Sequence, residues 1–161
     1  MSADLLRDAD WACTALAAGA ASTPDEVKAA GAQWYPATVP GTAAAAVRAG
    51  HGRAAALARD YDAEDWWFLT TVRVSGSGPW VLTAEGLATV AEVWVDGILV
   101  ARSESMFLTT TVALGELPAE CTVALRFAAL GPLLGQRRRP RARWHTHCRP
   151  LSGWYLLWGD S

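Results

Sequence analysis

The chain has 161 residues, of which 52% are hydrophobic and 19% charged, and its net charge is -2. This length suffices for one domain with its own core, and the composition excludes an intrinsically disordered chain. Six of the fourteen basic residues are arginines between positions 137 and 149, so no basic field covers the whole chain and nucleic-acid binding is not favoured.

Three widely spaced cysteines are an odd number and do not form the pattern of a disulfide framework. The N-terminus carries several aspartates and lacks the apolar run of a secretory signal. No apolar stretch reaches membrane-spanning length, so a membrane partner is not expected. These features predict a cytoplasmic protein that needs no cofactor.

The first 32 residues are expected to be helical or irregular. Residues 1–22 are rich in alanine, and Leu5, Leu6 and Leu16 give a weak helical face. The sequence TPDE at residues 23–26 is a clearer helix start, because Thr23 can cap the helix and proline suits its first position. Gly31 then ends a short helix.

Residues 33–130 are predicted to form a β-sandwich. A strand over 33–39 is followed by a short helix from Ala43 to Ala49, which Gly50 ends. An acidic loop at 60–65 precedes a long β run over 66–74, and further strands are expected over 80–84 and 121–128. The remaining residues, 131–161, are expected to be a basic linker and an aromatic C-terminal segment. This segment either closes the sandwich or leads to a further domain.

The clearest local signal is the segment from residue 91 to 100. Hydrophobic and polar residues alternate up to Val95, which places Trp94 on the outward side of a half-buried strand. Asp96-Gly97 then predicts a type I′ hairpin turn, which requires positive φ at both central residues. A third run at 108–114 is expected to complete an antiparallel meander. At least seven short strands predict an all-β, antiparallel jelly-roll sandwich with short N-terminal helices.

Four segments in this order resemble the motifs of a known family. They are WYPATVPGT at 34–42, DWWF at 65–68, EGLATVAEVWVDG at 85–97 and SMF at 105–107. Together they resemble the N-terminal sugar-binding domain of family 2 glycoside hydrolases, in its β-mannosidase-like branch. Near the C-terminus, Trp154 and Trp158-Gly159 resemble that branch's GWDWG segment, although the spacing is longer and the aspartate is missing.

The resemblance implies a galactose-binding-like sandwich that precedes an immunoglobulin-like domain and a catalytic TIM barrel. In the family, the two catalytic glutamates lie on the barrel, and this domain packs against the barrel and helps to shape the substrate pocket. A barrel needs about 250 residues, so this chain has no room for one. The expected partners are therefore a carbohydrate and the catalytic TIM-barrel domain of the same or a full-length chain.

Catalysis by the domain itself would require two carboxyl groups roughly 5 Å apart in a cleft. The available carboxylates lie mostly in expected turns or on outward faces, where ordinary solvation explains them: Asp60, Asp62, Glu64, Asp65, Glu85, Glu92, Asp96 and Glu104. We therefore predict no catalytic residue in this chain.

The candidate residues for sugar binding or interdomain contact are mostly tryptophans: Asp65, Trp66, Trp67, Trp94, Trp154 and Trp158. Trp66 and Trp67 are adjacent and should face opposite sides of their strand, so one belongs to the core and the other is free for a sugar or a neighbouring domain. An outward Trp94 indicates an interface.

His145 and His147 lack a second pair of ligands, so no metal site is predicted.

Three functions fit the sequence. The chain is a non-catalytic accessory domain of a family 2 glycoside hydrolase, a free-standing carbohydrate-binding module, or a structural interaction domain. The first is preferred because the four motifs occur in the family's order. The coding sequence downstream of Ser161 would discriminate among them.

Overall fold

A computed structural model describes residues 5–75 and 78–135 and the backbone of residues 156–157. The strands are β1 Trp11–Ala17, β2 Tyr35–Ala37, β3 Glu64–Arg73, β4 Trp80–Ala84, β5 Gly86–Leu87, β6 Ala91–Val95, β7 Ile98–Ser103, β8 Thr110–Gly115, β9 Glu120–Phe127 and β10 Leu156–Leu157. The helices are α1 Pro24–Ala29, α2 Ala43–Ala58 and α3 Gly131–Leu134.

Most of the strands belong to one antiparallel sheet of six, in the order β2-β1-β3-β9-β6-β7. Two shorter antiparallel pairs, β4 with β8 and β5 with β10, complete the β structure. Buried residues of β4 and β5 pack with the large sheet in one hydrophobic core, as the second layer of a sandwich does. The predicted all-β, antiparallel sandwich with short helices is therefore confirmed.

The two faces of the six-stranded sheet differ in what covers them. The inner face carries Trp66, Phe68 and Phe127, which share a core with β4, β5 and helix α2. The outer face carries Trp67 and Leu69, which pack with residues of α1 and the segment before it in a second, smaller cluster. Because side chains alternate along β3, neighbouring tryptophans enter different clusters.

Two local predictions are confirmed in detail. Asp96 and Gly97 have φ values of 47° and 76°, the positive pair that a type I′ turn requires between β6 and β7. Helix α1 begins at Pro24 with Thr23 as its cap, whose side chain accepts a hydrogen bond from the Glu26 amide. The Glu26 carboxylate accepts a further hydrogen bond from the Ser22 amide at 2.7 Å.

The predicted meander is wrong in its third strand. β8 pairs with β4 in the second layer, and β6 is the strand that pairs with β7. The turn at 103–105 therefore carries the chain from one layer to the other, as expected of a jelly roll and not of a meander.

Three other expectations need correction. The N-terminal segment contains strand β1, which lies between β2 and β3 in the main sheet, so Leu16 is not on a helix. Helix α2 continues past Gly50 to Ala58, with an interruption at Gly52, where φ is 83°. The expected acidic loop is shorter, because β3 begins at Glu64 and thus includes Asp65.

No helix in the part of the chain that the structure describes has the length and apolar character needed to cross a membrane. Within the same residues, no group of three or more His, Cys, Asp or Glu side chains is arranged to hold a metal ion. His145 and His147 lie outside the described residues.

Candidate functional site

The structure brings three of the predicted site residues together on the outer face of the sheet. Asp65 and Trp67 lie on β3, and Trp94 lies on β6, with β9 between these two strands. Trp66 lies on the opposite face. Trp154 and Trp158 fall outside the described residues.

An ion-pair network crosses the outer face and is centred on Arg126 of β9. Its guanidinium donates to Asp65 Oδ2 at 2.8 Å and to Glu92 Oε2 at 3.1 Å. The second oxygen of Glu92 accepts from Arg102 at 3.2 Å. The register explains this arrangement, because Arg126 is paired with Trp67 on one side and with Glu92 on the other.

The Asp65 carboxylate also holds two backbone segments. Its oxygens accept hydrogen bonds from the amide of Gly19 at 2.9 Å and from that of Ala129 at 2.8 Å. The expectation that Asp65 is a solvated loop residue is therefore wrong, since only 2% of it is exposed. A buried carboxylate is acceptable here because it is paired and fully hydrogen-bonded.

Two carboxylates thus converge on one guanidinium, but this arrangement is not that of a glycosidase. Each oxygen of Asp65 and Glu92 already accepts a hydrogen bond from an arginine or a backbone amide. Burial lowers the pKa of Arg126, but its hydrogen bonds and charge interactions with Asp65 and Glu92 outweigh burial and raise it. Arg126 therefore stays charged and keeps both carboxylates occupied. The network stabilises the sheet, and both of its carboxylates, Asp65 and Glu92, are occupied by hydrogen bonds within the domain.

Trp67 is completely buried within this outer face. Its ring lies 5.7 Å from the guanidinium carbon of Arg126 and 6.4 Å from the ring of Trp94, and it packs with Val27 of α1. Its neighbour Trp66 is equally buried on the inner face, stacked on Tyr61 at 5.4 Å. Neither ring offers a surface on which a sugar can stack.

Trp94 differs because it is only partly buried and lines a groove between α1 and the outer face of β6 and β9. The groove has a volume of about 210 Å³, and its other lining residues are Pro24, Asp25, Lys28, Asp96, Gly97, Thr122 and Ala124. Asp96 accepts a hydrogen bond from the Thr122 amide at 2.7 Å. Within the described structure, the buried indole N–H groups of Trp66, Trp67 and Trp94 all lack a hydrogen-bond acceptor, so this property does not single out the groove. The groove combines an aromatic side chain with polar groups, a combination able to hold a small polar molecule.

The comparison with protein families then decides what the domain is. The family described as glycosyl hydrolase 2 galactose-binding domain-like matches residues 22–147, which is more than half of the chain. The chain belongs to this family. A search of curated protein sequences gave no significant match.

Solved structures resemble this galactose-binding-like domain at low sequence identity. Against the β-D-mannosidase of Dictyoglomus thermophilum the TM-score is 0.60, with 17% identity over 85% of this chain and 17% of that one. Against the β-glucuronidase of Faecalibacterium prausnitzii it is 0.51, with 20% identity over 74% of this chain and 20% of that one. A β-galacturonidase of Eisenbergiella tayi also gives 0.51, with 16% identity over 77% of this chain and 18% of that one. The domain therefore shares its fold with about a fifth of each of these longer chains.

Sequence reasoning missed two features of this galactose-binding-like domain. The first is Arg126, which lies in the predicted strand 121–128 but was given no role there, although it binds both Asp65 and Glu92. The second is the apolar tip, defined as Met106, Phe107 and Leu108 in the loop between β7 and β8. These side chains are 40%, 86% and 66% exposed, respectively. Three consecutive large apolar residues directly after a turn were the signal that was available.

Proposed function

We propose that this galactose-binding-like domain is the non-catalytic accessory domain of a family 2 glycoside hydrolase. Its contribution is architectural, since a rigid sandwich presents loops and side chains to a catalytic TIM barrel and helps to shape the pocket for the terminal sugar. The observation that carries this proposal is the family match over residues 22–147. The arginine-bound carboxylates of the outer face support the non-catalytic part.

The finer proposal is that the full-length enzyme acts on β-mannosides. Two observations support it: the four sequence motifs have the order seen in the β-mannosidase-like branch, and the likeness to the Dictyoglomus thermophilum β-D-mannosidase covers most of this chain. The chain is also similar in fold to a β-glucuronidase and a β-galacturonidase, so β-glucuronides and β-galacturonides are the competing substrates. Hydrolysis of the three aryl glycosides by the full-length enzyme would rank these substrates.

The non-catalytic role is tested on the purified 161-residue chain. Assays with aryl β-mannoside, β-glucuronide and β-galacturonide should give no turnover above that of a heat-denatured sample. A chain that hydrolyses any of them, with the activity following the protein through two independent purification steps, would contradict the proposal. Because Asp65 and Glu92 are the only described carboxylates bound to Arg126, Glu92→Gln would then show whether that pair is responsible.

A second candidate function is sugar binding by the domain itself, which the groove beside Trp94 favours. Its volume of about 210 Å³ and its polar lining fit a single sugar unit better than a polymer. Calorimetry with a panel of monosaccharides should then show binding that Trp94→Ala removes. Trp80→Ala is the matched control, because Trp80 is also partly buried but lies on β4, away from the groove. Absence of heat with every sugar in the panel would leave only the accessory role.

A further inference from the structure

A second pocket adjoins the groove beside Trp94 on the outer face of the main sheet. We call it the Trp34 pocket; it has a volume of about 410 Å³, and its lining includes Asp10, Ala12, Lys28, Trp34, Thr71 and Thr122. Lys28 and Thr122 also line the groove, so the two spaces are adjacent. Arg126 and its two carboxylates lie further along the sheet and line neither space.

The strand register arranges the two spaces in one line across the sheet. Trp94 of β6 is paired with Ala124 of β9, and Ala124 is paired with Leu69 of β3. Leu69 is paired in turn with Ala12 of β1, and Trp34 directly precedes β2, the strand beyond β1. Because neighbouring strands lie about 4.8 Å apart, the four strand spacings from β6 to β2 separate the two tryptophans by roughly 19 Å. This row is longer than one sugar ring and suits a short chain of them.

Both tryptophans are held in position by the fold. Trp94 lies within β6, which is paired with β7 on one side and β9 on the other. Trp34 follows Gln33, whose carbonyl oxygen accepts a hydrogen bond from the Thr14 hydroxyl at 2.7 Å, and it precedes β2, which is paired with β1. Each ring packs against the smaller hydrophobic cluster under α1 and stays partly exposed. Rings that are already ordered lose little conformational entropy when a ligand binds.

The polar side chains of the two spaces suit the hydroxyl groups of a sugar. Thr71 and Thr122 carry hydroxyls that donate and accept hydrogen bonds, and the carboxylates of Asp10 and Asp96 accept them. An aromatic ring beside such groups can stack on a sugar ring while the polar groups bind its edge. This combination occurs twice, once at each tryptophan.

The charges of the lining favour a neutral ligand. Three carboxylates line the two spaces, those of Asp10, Asp25 and Asp96. Among the described lining residues, the ammonium of Lys28 is the only cation, and it already pairs with Asp25 at 3.5 Å. A sugar acid would bring a further negative charge beside these carboxylates, and like charges repel. A neutral sugar avoids this cost.

We propose that the groove and the Trp34 pocket together bind a short neutral oligosaccharide, with a sugar unit at each tryptophan. This inference rests on the proposed sugar binding by the domain, and it adds a second subsite and a preference for uncharged chains. The groove alone, at about 210 Å³, is smaller than the roughly 300–1,000 Å³ that is typical of ligand sites, and the Trp34 pocket supplies the additional space.

The test measures by calorimetry how the 161-residue chain binds mannose, glucose, galactose and their β-linked trisaccharides. We expect at least one trisaccharide to bind about tenfold more tightly than its monosaccharide, because a second contact with a ring adds to the first. Trp34→Ala should remove this gain and keep the monosaccharide affinity, which also shows that the variant is folded. Trp80→Ala is the matched control on β4 and should change neither affinity.

Thr71→Arg blocks the second subsite independently of the tryptophans. Thr71 is exposed and lines the Trp34 pocket but not the groove, so a long side chain there fills the pocket without entering the core. The gain in trisaccharide affinity should be lost in this variant too. A trisaccharide of galacturonate should bind the wild-type chain at least about tenfold more weakly than the best neutral trisaccharide.

Trisaccharides that bind no more tightly than monosaccharides would overturn the proposal, as would a gain that survives both Trp34→Ala and Thr71→Arg. Preferential binding of the galacturonate trisaccharide would overturn it as well. In each of these cases, monosaccharide binding that Trp94→Ala removes would still establish sugar binding in the groove. Absence of heat with every sugar would exclude both the second subsite and sugar binding by the domain, and the accessory role would be judged separately by the glycosidase activity of the full-length enzyme.

Discussion

The outer face of the main sheet and the apolar tip use similar residues in opposite ways. On the outer face, Trp67 is buried, and the carboxylates of Asp65 and Glu92 are bound to Arg126. The ring surface and the carboxylate oxygens therefore make their contacts within the domain. At the tip, Phe107 remains 86% exposed on a loop that hydrogen bonds hold in place. The comparison shows that aromatic and acidic composition alone does not mark a functional surface. What distinguishes the tip is that its apolar side chains stay exposed in the part of the chain that the structure describes.

The largest effect is expected from Asp65→Ala, which tests whether the outer face is structural. The change leaves Arg126 without its buried partner and the amides of Gly19 and Ala129 without an acceptor. We expect the free energy of unfolding to fall by about 3–5 kcal/mol, as when a buried ion pair loses one member. Urea denaturation of the 161-residue chain measures it.

The control for that experiment is Asp25→Ala. Asp25 is mostly exposed and forms a long ion pair with Lys28, at 3.5 Å, so its loss should change the stability by no more than about 0.5 kcal/mol. If the two variants unfolded at the same urea concentration, the outer-face network would not be structural, and the comparison would fail.

An intermediate effect is expected from Gly86→Ala, which disturbs the support of the tip. The added Cβ would collide with backbone at Met106, so either β5 or the tip must move. Overpacking of this kind costs about 1–3 kcal/mol. In contrast, a Cβ atom at Gly50 would meet a carbon of the Tyr35 ring at 3.2 Å, and a side chain can shift more easily than backbone, so Gly50→Ala should cost less stability than Gly86→Ala. Thermal unfolding of both variants would show this order, and the reverse order would mean that the tip is not held by β5.

The pH dependence of the unfolding free energy, a smaller effect, tests whether the inner hydrophobic core around Cys13 excludes water. Burial raises the pKa of Cys13 to about 12 from an unfolded value of 9.0, although the charge of Arg59 opposes this slightly. Because the folded pKa is the higher one, the contribution of Cys13 is complete below pH 9 and is lost between pH 9 and 12. Stability should therefore fall by about 1.4 kcal/mol per pH unit above pH 9 from this group alone.

Cys13→Ala isolates this contribution, because alanine does not titrate. The variant should lose less stability between pH 8 and pH 10.5 than the wild type does, whatever its stability at pH 8. Parallel pH profiles would show that the thiol is accessible and that the inner core is more open than the structure indicates.

The smallest effect is expected from Phe107→Ser in the 161-residue chain. The side chain makes few contacts within the domain, so its replacement should change the unfolding free energy by no more than about 0.5 kcal/mol. A clear loss of stability would mean that Phe107 contributes to the packing of the domain, and the contrast between the tip and the outer face would disappear.

The sequence was sufficient for features that depend on neighbouring residues. Alternation along β6 predicted the outward side of Trp94, and Asp96-Gly97 predicted the hairpin, because a period of two and positive φ are local properties. The cap of α1 at Thr23 is also local. These signals were enough for the class of fold and for the family resemblance.

Features that depend on distant partners were not predictable in this way. Strand β1 has an alanine-rich sequence and forms because β2 and β3 pair with it on either side. The burial of Asp65 depends on Arg126, which is 61 residues away in the chain. β8 pairs with β4 in the second layer and not with β7 in the main sheet. The sequence of the turn between β7 and β8 does not determine which layer the next strand joins.

The central claim is that the acidic and aromatic residues of the outer face around Arg126 are used within the domain, whereas the apolar tip stays exposed on it. Hydroxyl-radical footprinting of Trp67, Phe107 and Ile98 in the 161-residue chain tests it most directly. We expect Phe107 and Ile98 to be oxidised readily and Trp67 to be strongly protected, because Trp67 is completely buried. Oxidation of Trp67 as fast as that of Phe107 would contradict the claim.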